Sequence, residues 1–412
     1  MVIETDGAPL TTSPQARALR GPLMFAIACF VVWGLAYGLL DVLNKHFQET
    51  LHVGKAQSTW LQMAYFGAYL IGSIPAGALL QARGYKFGIV AGLIITAIGA
   101  LLFIPSAQAA SFPFFVGSMF VLASGLCCLE TAADTYVNVL GPPEHASRRL
   151  NLAQSFNALG VFFGPLIGGM LFFQESNNGS QAPIQFTYLA IAIAVLIFAA
   201  VVSRTHLPEI RDAHHGHGTA SHGTANVSLW RTPHFVLGVL TQALYVGAQV
   251  GIGAFFINLI TDTWPHMTSR DGAFLLSVAT AAYLIGRFSS TALLLKLSSR
   301  TVLILYGSIN LGLCLIVSLG LTKVSAIALI AVFFFMSAMF ATIFALGVSG
   351  LGAATKRGAS VMVMAIGGGV LLPYPMGRIA EIWGTPTAFL LPAACFAAVA
   401  AYGWKGAKIR AA

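Results

Sequence analysis

Three carboxylates stand inside otherwise apolar stretches of the chain: Asp41, Glu130 and Asp134. A charged side chain in the middle of a lipid bilayer costs about 2.5 kcal/mol or more, so an acid in such a place marks the path of a solute or a proton by default. Glu130 and Asp134 are one helical turn apart, and two carboxylates this close in a low dielectric should not both be ionised. One of them is therefore expected to hold a proton, which it can take up on one side of a membrane and release on the other.

The composition requires elements that cross a lipid bilayer. Of the 412 residues, 57% are hydrophobic and 8% are charged, and the mean hydropathy is +0.81. Runs of about 20 apolar residues can each cross a bilayer, and backbone groups in lipid must be hydrogen-bonded within the segment. We therefore expect an all-α membrane protein. Twelve spans are predicted, numbered 1 to 12, at residues 22–44, 59–81, 87–108, 111–140, 150–173, 184–204, 232–260, 271–297, 301–320, 325–350, 357–382 and 386–404.

The distribution of basic residues predicts the orientation. Most of the 22 lysines and arginines fall in segments that twelve spans would place on one side, as do Arg83, Lys86, Lys296 and Arg300. Cytoplasmic loops carry this excess. Residues 1–20 are polar, and no cleavable signal sequence precedes span 1. We expect a multi-pass protein of the plasma membrane or bacterial inner membrane with both termini in the cytoplasm. Basic charge placed in this way argues against a nucleic-acid partner.

An internal repeat divides the chain. The segment Ala-Tyr-Leu-Ile-Gly occurs at residues 68–72 and again at 282–286, each time in the second span of a group of six. An even number of helices between the copies predicts two parallel, pseudo-symmetric six-helix halves with a site between them near the membrane midplane, as in major facilitator transporters. The halves are expected at residues 1–204 and 232–412, joined by a cytoplasmic linker at 205–231. The linker is rich in histidine, so metal capture is the alternative to a plain connection.

Polar side chains on the faces of several spans predict a binding cavity. Tyr37, Asp41 and Asn44 share one face of span 1. Amides and carboxylates bind hydroxyl groups well, and aromatic rings can cover the apolar face of a sugar. The candidate ligands of a polyhydroxylated molecule are Tyr37, Gln154, Asn157, Tyr245, Gln249 and Asn258. The alternatives are hydrogen bonds between helices, worth about 0.6 kcal/mol per contact, and, for the acids, ion pairs with Arg287 or Arg378.

Several motifs resemble those of one transporter family. The segments Leu-Glu-Thr-Ala-Ala at 129–133, Arg-Leu-Asn-Leu-Ala-Gln-Ser-Phe-Asn at 149–157 and Phe-Gly-Ala-Tyr-Leu-Ile-Gly at 66–72 are similar to those of the fucose/proton symporter family, which includes glucose, galactose and amino-sugar permeases. The resemblance implies a monomeric, twelve-helix major facilitator fold. It also implies that Asp41 and Glu130 are proton-coupling acids, that Gln154 binds substrate and that Asn157 and Asn258 line the pocket.

The chain departs from the family pattern at several positions, among them Gln81, which stands where the superfamily has Asp, and two that change the charge of the predicted site. Asp134 stands where the family usually has Asn, which adds an acid one turn from Glu130, and Gln249 stands where the family usually has Glu. A second acid beside Glu130 could help to bind sodium through hard oxygen ligands, so the coupling ion stays open between proton and sodium.

These observations together predict a transporter and not an enzyme. We expect import of a monosaccharide (fucose, glucose, galactose or a related hexose) by proton symport, with Asp41, Glu130 and Asp134 as the coupling acids, no cofactor and no bound metal. Sodium-coupled sugar import and proton-coupled efflux of a small polar solute are the alternatives. A nutrient sensor and an intramembrane hydrolase are disfavoured, since the chain has neither an expected signalling extension nor a motif such as His-Glu-x-x-His.

Overall fold

The structure, a computed structural model, describes residues 14–139, 146–174, 181–205, 229–294, 296–351 and 355–406. Twelve helical segments in these ranges are long and apolar enough to cross a membrane, in the order and at the places that the sequence predicts. The described residues contain helices and turns and no β-strand. The prediction of an all-α membrane fold with twelve spans is confirmed. The predicted linker histidines, from His206 to His222, lie outside the described residues.

Spans 1 to 6 form the first half. Span 1 is the helix Pro14–Thr50, and span 2 begins as a short helix, Lys55–Ser58, that continues beyond Thr59. The remaining helices of this half are Trp60–Arg83 in span 2, Tyr85–Gln108 in span 3, Phe112–Val139 in span 4, Ala146–Phe172 in span 5 and Ala182–Arg204 in span 6. Gly84 joins spans 2 and 3 at a φ of 84°, a left-handed conformation that glycine adopts without steric cost.

Spans 7 to 12 form the second half, in which spans 10, 11 and 12 are each divided into two helices. A 3₁₀ turn, Leu229–Arg231, precedes span 7. The helices are Pro233–Thr263 in span 7, Ser269–Leu293 in span 8, Ser299–Ser318 in span 9, Thr322–Met336 and Met339–Val348 in span 10, Thr355–Met364 and Pro373–Trp383 in span 11, and Thr385–Ala388 and Leu390–Ala401 in span 12. The α-helix of span 11 gives way to a 3₁₀ helix at Ala365–Val370, where three consecutive glycines precede a proline that has no amide donor.

Glycines bring spans 1 and 5 into backbone contact. A methyl group at Gly34 would overlap the backbone carbonyl oxygen of Asn157, and Gly38 lies directly against Gly164. Small residues at a crossing let two membrane helices approach this closely. The crossing therefore fixes the stretch of span 1 that carries Asp41, two turns beyond Gly34.

The two halves meet along spans 1 and 7, spans 2 and 11, and spans 5 and 8. Span 7 is apolar on nearly all sides and is the most deeply enclosed of the described spans, as expected for a helix in the centre of a bundle. Polar contacts between the halves gather at the end of the bundle where span 2 begins, which we call the Lys55 end. The structure is thus a state in which this end is closed.

Candidate functional site

Asp41 lies at the contact between the two halves. Its side chain is 9% exposed, and its carboxylate lies directly against the backbone of Gly253 in span 7. The amide of Gln62, from span 2, is close enough to interact with it. Among the described residues, Asp41 makes no ion pair. An acid of the first half therefore touches the second half without an ion pair to any residue that the structure describes.

Glu130 and Asp134 lie one turn apart in span 4 and interact with each other, as the sequence predicts. One carboxylate oxygen of each, Oε2 of Glu130 and Oδ1 of Asp134, is buried and accepts no hydrogen bond from any described residue. Neither acid makes an ion pair within the described ranges. A narrow cavity borders Glu130 on the side of span 1. Its lining residues are Cys29, Phe30, Trp33, Leu129, Glu130 and Ala133.

The two arginines that could have paired with these acids have other neighbours. Arg378 pairs with Glu381, three residues later, at 3.0 Å between Nη1 and Oε2. The guanidinium of Arg287 lies over the ring of Tyr283, 5.6 Å from its centroid. The alternative of an ion pair between a mid-span acid and Arg378 is not found in the described part of the chain.

An aromatic cluster joins the surroundings of Asp41 to those of Glu130. The indole Nε1 of Trp33 donates a hydrogen bond of 3.1 Å to the hydroxyl of Tyr65. The Tyr65 ring stacks on Tyr69 at 5.4 Å and lies 6.0 Å from Tyr37. Sequence reasoning missed Trp33, Tyr65 and Tyr69 as site residues. The four-residue spacing of the two tyrosines on span 2, one of them in the internal repeat, is the signal that could have found them.

The predicted sugar ligands differ in whether their polar groups already form hydrogen bonds within the protein. The Tyr245 hydroxyl donates to the Met336 carbonyl at 2.9 Å, and Asn157 donates to the Phe30 carbonyl at 3.2 Å, so both join helices in this state. Asn258 is fully buried, and neither of its amide atoms is bonded to a described residue. Gln154 and Gln249 are half-buried, as is Tyr37.

Asn44, a further polar residue of span 1, belongs to a compact network of side-chain hydrogen bonds. Asn44 donates to the Oε1 of Gln62 at 3.0 Å and accepts from Gln48 at 2.7 Å and from Ser58 at 2.9 Å. Buried polar groups that are satisfied in this way fix the position of helices. Asn44 thus ties span 1 to span 2 and holds Gln62 next to Asp41.

The Lys55 end is closed by charged contacts between the halves. Lys55 Nζ lies 2.6 Å from the Asp262 carboxylate and donates to the Thr385 hydroxyl at 2.8 Å. The backbone N–H of Ala56 donates to Oε1 of Glu381 at 2.9 Å. We call these residues the Lys55 cluster. Near it, Ser269 of span 8 donates to Glu49 of span 1, a further bond between the halves.

The arrangement can bind and release protons, because it holds carboxylates in an apolar medium without an ion pair to any described residue. Amide and phenol groups close to these acids can bind hydroxyl groups. The described residues contain no group of three or more His, Cys, Asp or Glu side chains that could hold a metal ion. Fold and site together define a polytopic membrane transporter built from two six-helix halves.

Comparison with known proteins identifies the family. The family model described as Major Facilitator Superfamily matches residues 23–372. The chain belongs to this superfamily, and it is a transporter, not an enzyme.

The relatives are sugar transporters by name. The chain is 34% identical over 406 residues to a glucose/galactose transporter of Brucella abortus, a match that covers 97% of this chain and 98% of the relative. It is 35% identical over 407 residues to the L-fucose-proton symporter of Escherichia coli, with 93% of each chain covered.

Solved structures agree with the fold. The structure of the E. coli fucose:proton symporter superposes with a TM-score of 0.69 at 33% identity and covers 95% of this chain and 100% of its own. A D-xylose-proton symporter superposes with a TM-score of 0.76 at 12% identity, covering 93% of this chain and 97% of its own. At that identity the similarity concerns the fold alone.

Proposed function

We propose that the chain imports a monosaccharide (fucose, glucose, galactose or a related hexose) together with protons, by alternating access. The names of relatives that match nearly end to end support this substrate class. The observation that carries the proposal is the place of Asp41. Its carboxylate is buried against Gly253 of the opposite half with no cation partner among the described residues.

This place gives the proton a physical role. Burying an unpaired charge costs several kcal/mol, whereas burying a neutral carboxyl that can form hydrogen bonds costs much less. Protonation of Asp41 and of the Glu130–Asp134 pair therefore lowers the free energy of the state in which the halves close at the Lys55 end. Release of the proton on the other side raises that free energy and returns the carrier. No cofactor takes part, and the proton gradient supplies the work.

The sugar occupies the space between the halves, next to the acids. Its hydroxyl groups are bound by polar side chains of spans 1, 5 and 7, and a tyrosine ring covers its apolar face. Tyr245 and Asn157 exchange their present helix-to-helix bonds for bonds to the sugar when the Lys55 end opens. The proposed ligands are Tyr37, Gln154, Asn157, Tyr245, Gln249 and Asn258.

The orientation and assembly follow the sequence predictions. The Lys55 end faces outward, both termini lie in the cytoplasm, and the membrane is the bacterial inner membrane or a plasma membrane. Residues 1–204 and 232–412 rock as two bodies about their contact, joined by the linker at 205–231. The carrier acts as a monomer, because the site lies between the halves of one chain.

Uptake into proteoliposomes tests the proposal. The panel contains fucose, glucose, galactose, mannose, N-acetylglucosamine and arabinose, each with an inward proton gradient, an inward sodium gradient or neither. We expect accumulation of at least one hexose only with the proton gradient. Accumulation with sodium alone would replace the proton as the coupling ion, and uptake of none of the sugars would refute the proposed substrate class.

A further inference from the structure

Tyr69 belongs to the internal repeat, yet the proposed function gives it no role. The repeat places Tyr69 in span 2 and Tyr283 in span 8 at equivalent positions. Tyr69 lies beside Glu130, and Tyr283 lies beside Arg287. The two halves thus present the same side chain to groups of opposite charge. What Tyr69 does for the acid depends on the bonds that reach it through Tyr65.

The hydrogen bond from Trp33 is the first of these bonds. An indole N–H can only donate, so the Tyr65 hydroxyl must be the acceptor of the 3.1 Å bond between them. The Tyr65 hydroxyl keeps its own proton and a second acceptor site, so it is able to donate to a neighbour. Tyr69, one turn later on span 2 and stacked on the Tyr65 ring, is close enough to interact with it.

The Tyr69 hydroxyl lies between Tyr65 and the carboxylate of Glu130. The Tyr69 hydroxyl is buried and makes no hydrogen bond of normal geometry with any described residue, but it is close enough to Tyr65 and to Glu130 to interact with both. Oε2 of Glu130 is also buried and unbonded within the described part of the chain. Buried polar groups without partners are costly, so a small rotation that joins these two neighbours is favourable. The donors then run from Trp33 through Tyr65 and Tyr69 to the carboxylate.

We propose that Tyr69 is a positioning residue for Glu130, the last member of a chain of hydrogen-bond donors that starts at Trp33 and stabilises the ionised carboxylate when the carrier resets. The inference rests on the proposed function, since it assigns these hydrogen-bond donors a part in proton release. Hydrogen bonds in a low dielectric strengthen one another along a chain, so the effect of Trp33 reaches the acid through both tyrosines.

Other titratable groups face Glu130, and none of them replaces this donor. Asp134 and Cys127 lie on span 4 itself, and Cys29 lines the same narrow cavity from span 1. A thiol is a weak donor. Asp134 can donate only while it holds a proton, and once both acids of the pair are ionised it cannot donate and repels a second negative charge. Spans 3 and 5 also pack against span 4, but the interactions described for Glu130 reach no titratable side chain of either.

Removing the Tyr69 hydroxyl should therefore shift the pH at which Glu130 titrates in a defined direction. Without a donor, the carboxylate form of Glu130 loses a charge-assisted hydrogen bond, so the carboxyl keeps its proton to higher pH. A bond of this kind corresponds to a shift of about one pH unit. A purely structural role for Tyr69 would lower stability without moving the pH at which Glu130 titrates.

The test is an infrared titration of the full-length carrier in lipid. The carbonyl band of protonated Glu130 is identified as the band that disappears in Glu130→Gln, and its loss is followed as the pH rises. We expect Tyr69→Phe to move the half-loss of this band to higher pH by about one unit. Tyr188→Phe is the matched control, because Tyr188 is buried and stacked on Phe103 at 3.8 Å, away from the acids, and should leave the midpoint unchanged.

An unchanged midpoint in Tyr69→Phe, or an equal shift in Tyr188→Phe, overturns the proposal. Should Tyr69→Phe fail to fold, Trp33→Phe carries the test. It removes the first donor of the series, so a shift to higher pH is expected, and no shift refutes the proposed series of donors. Binding of fucose, glucose and galactose is measured on the same samples. Wild-type protein that binds none of them contradicts the proposed function, while the band midpoint still decides the role of Tyr69.

Discussion

The carboxylates at the Lys55 end and those in the middle of the spans have different surroundings. At the Lys55 end, Asp262 lies 2.6 Å from Lys55, and Glu381 bonds both Arg378 and a backbone N–H of the opposite half. In the middle of the spans, Asp41 and the Glu130–Asp134 pair make no ion pair with a described residue. The same functional group is thus held by cations in one region and left without them in the other.

The difference separates two roles. A carboxylate paired with a lysine or an arginine contributes to closing the halves in either protonation state of the mid-span acids. An acid in an apolar medium without a cation is costly to keep ionised, so the binding or release of a proton controls the free energy of that site. The comparison predicts that neutralising a mid-span acid uncouples transport, whereas changes at the Lys55 end shift the balance between conformations.

The largest effect is expected from Asp41→Asn. A gradient of about two pH units can drive about 100-fold accumulation of a sugar carried with one proton. The variant should exchange sugar across the membrane but accumulate none, since the amide cannot release a proton. Accumulation and counterflow in proteoliposomes measure this. The control is Glu49→Gln, which neutralises an acid near the Lys55 end, and this variant should still accumulate sugar. An Asp41→Asn carrier that accumulates sugar would contradict the distinction between the two regions.

The next effect is expected from Gly34→Ala, which tests whether the glycine crossing holds Asp41 in place. The new methyl group overlaps the Asn157 carbonyl and must push spans 1 and 5 apart. Overpacking of this kind costs about 1–3 kcal/mol. The melting temperature of the carrier in detergent should fall by several degrees. Gly117→Ala is the control, because nothing lies within 4 Å of the added atom, and equal melting of the two variants would contradict the backbone contact.

A smaller effect is expected from Lys55→Met, which removes the ionic contact that closes the Lys55 end. The pair is partly exposed, so its loss should cost about 1 kcal/mol and change the ratio of closed to open states about fivefold. Electron paramagnetic resonance distances between labels at Ala110 and Lys323, exposed residues of the two halves, report this ratio. The described cysteines are all buried and do not compete for the label.

Lys45→Met is the matched control for Lys55→Met. Lys45 also pairs with an acid, Glu49 at 3.5 Å, but both residues lie on span 1. Its loss removes no contact between the halves, and the label distances should stay as in the wild type. Equal shifts in the two variants would mean that lysine charge in general, and not the contact between the halves, sets the conformation.

The smallest effect is expected from Arg378→Gln. Its partner Glu381 keeps the bond to the backbone of Ala56 at 2.9 Å, and Arg378 itself is 55% exposed, where an ion pair is worth little. The distance distribution between the same two labels should remain within error of the wild type. A clear shift toward the open state would make Arg378 part of the contact between the halves.

The sequence predicted the spans because a run of apolar residues is a local signal. It also placed Asp41 and Glu130 inside them, and the repeat at residues 68–72 and 282–286 indicated two halves. The interruption of span 10 between Met336 and Met339 was not predicted, since the segment there is Ser337-Ala338 and carries no proline or glycine.

The candidate site was predictable in its residue types and less so in its contacts. The polar face of span 1 pointed to Asn44, but only the structure pairs it with Gln62 and Ser58. Lys55 and Asp262 are 207 residues apart, and no local pattern connects two positions at that separation. The three-residue spacing of Arg378 and Glu381 predicts only the local pair between them. The second bond of Glu381, to Ala56, depends on the packing of the two halves.

The most direct test of the account is proton entry that accompanies the sugar. Proteoliposomes containing a pH-sensitive dye receive, without a pH gradient, the sugar that the uptake panel identifies. The wild-type carrier should acidify the interior, whereas Glu130→Gln should exchange labelled sugar without moving protons. Acidification by Glu130→Gln at the wild-type rate would contradict the claim that the acids in the middle of the spans carry the proton.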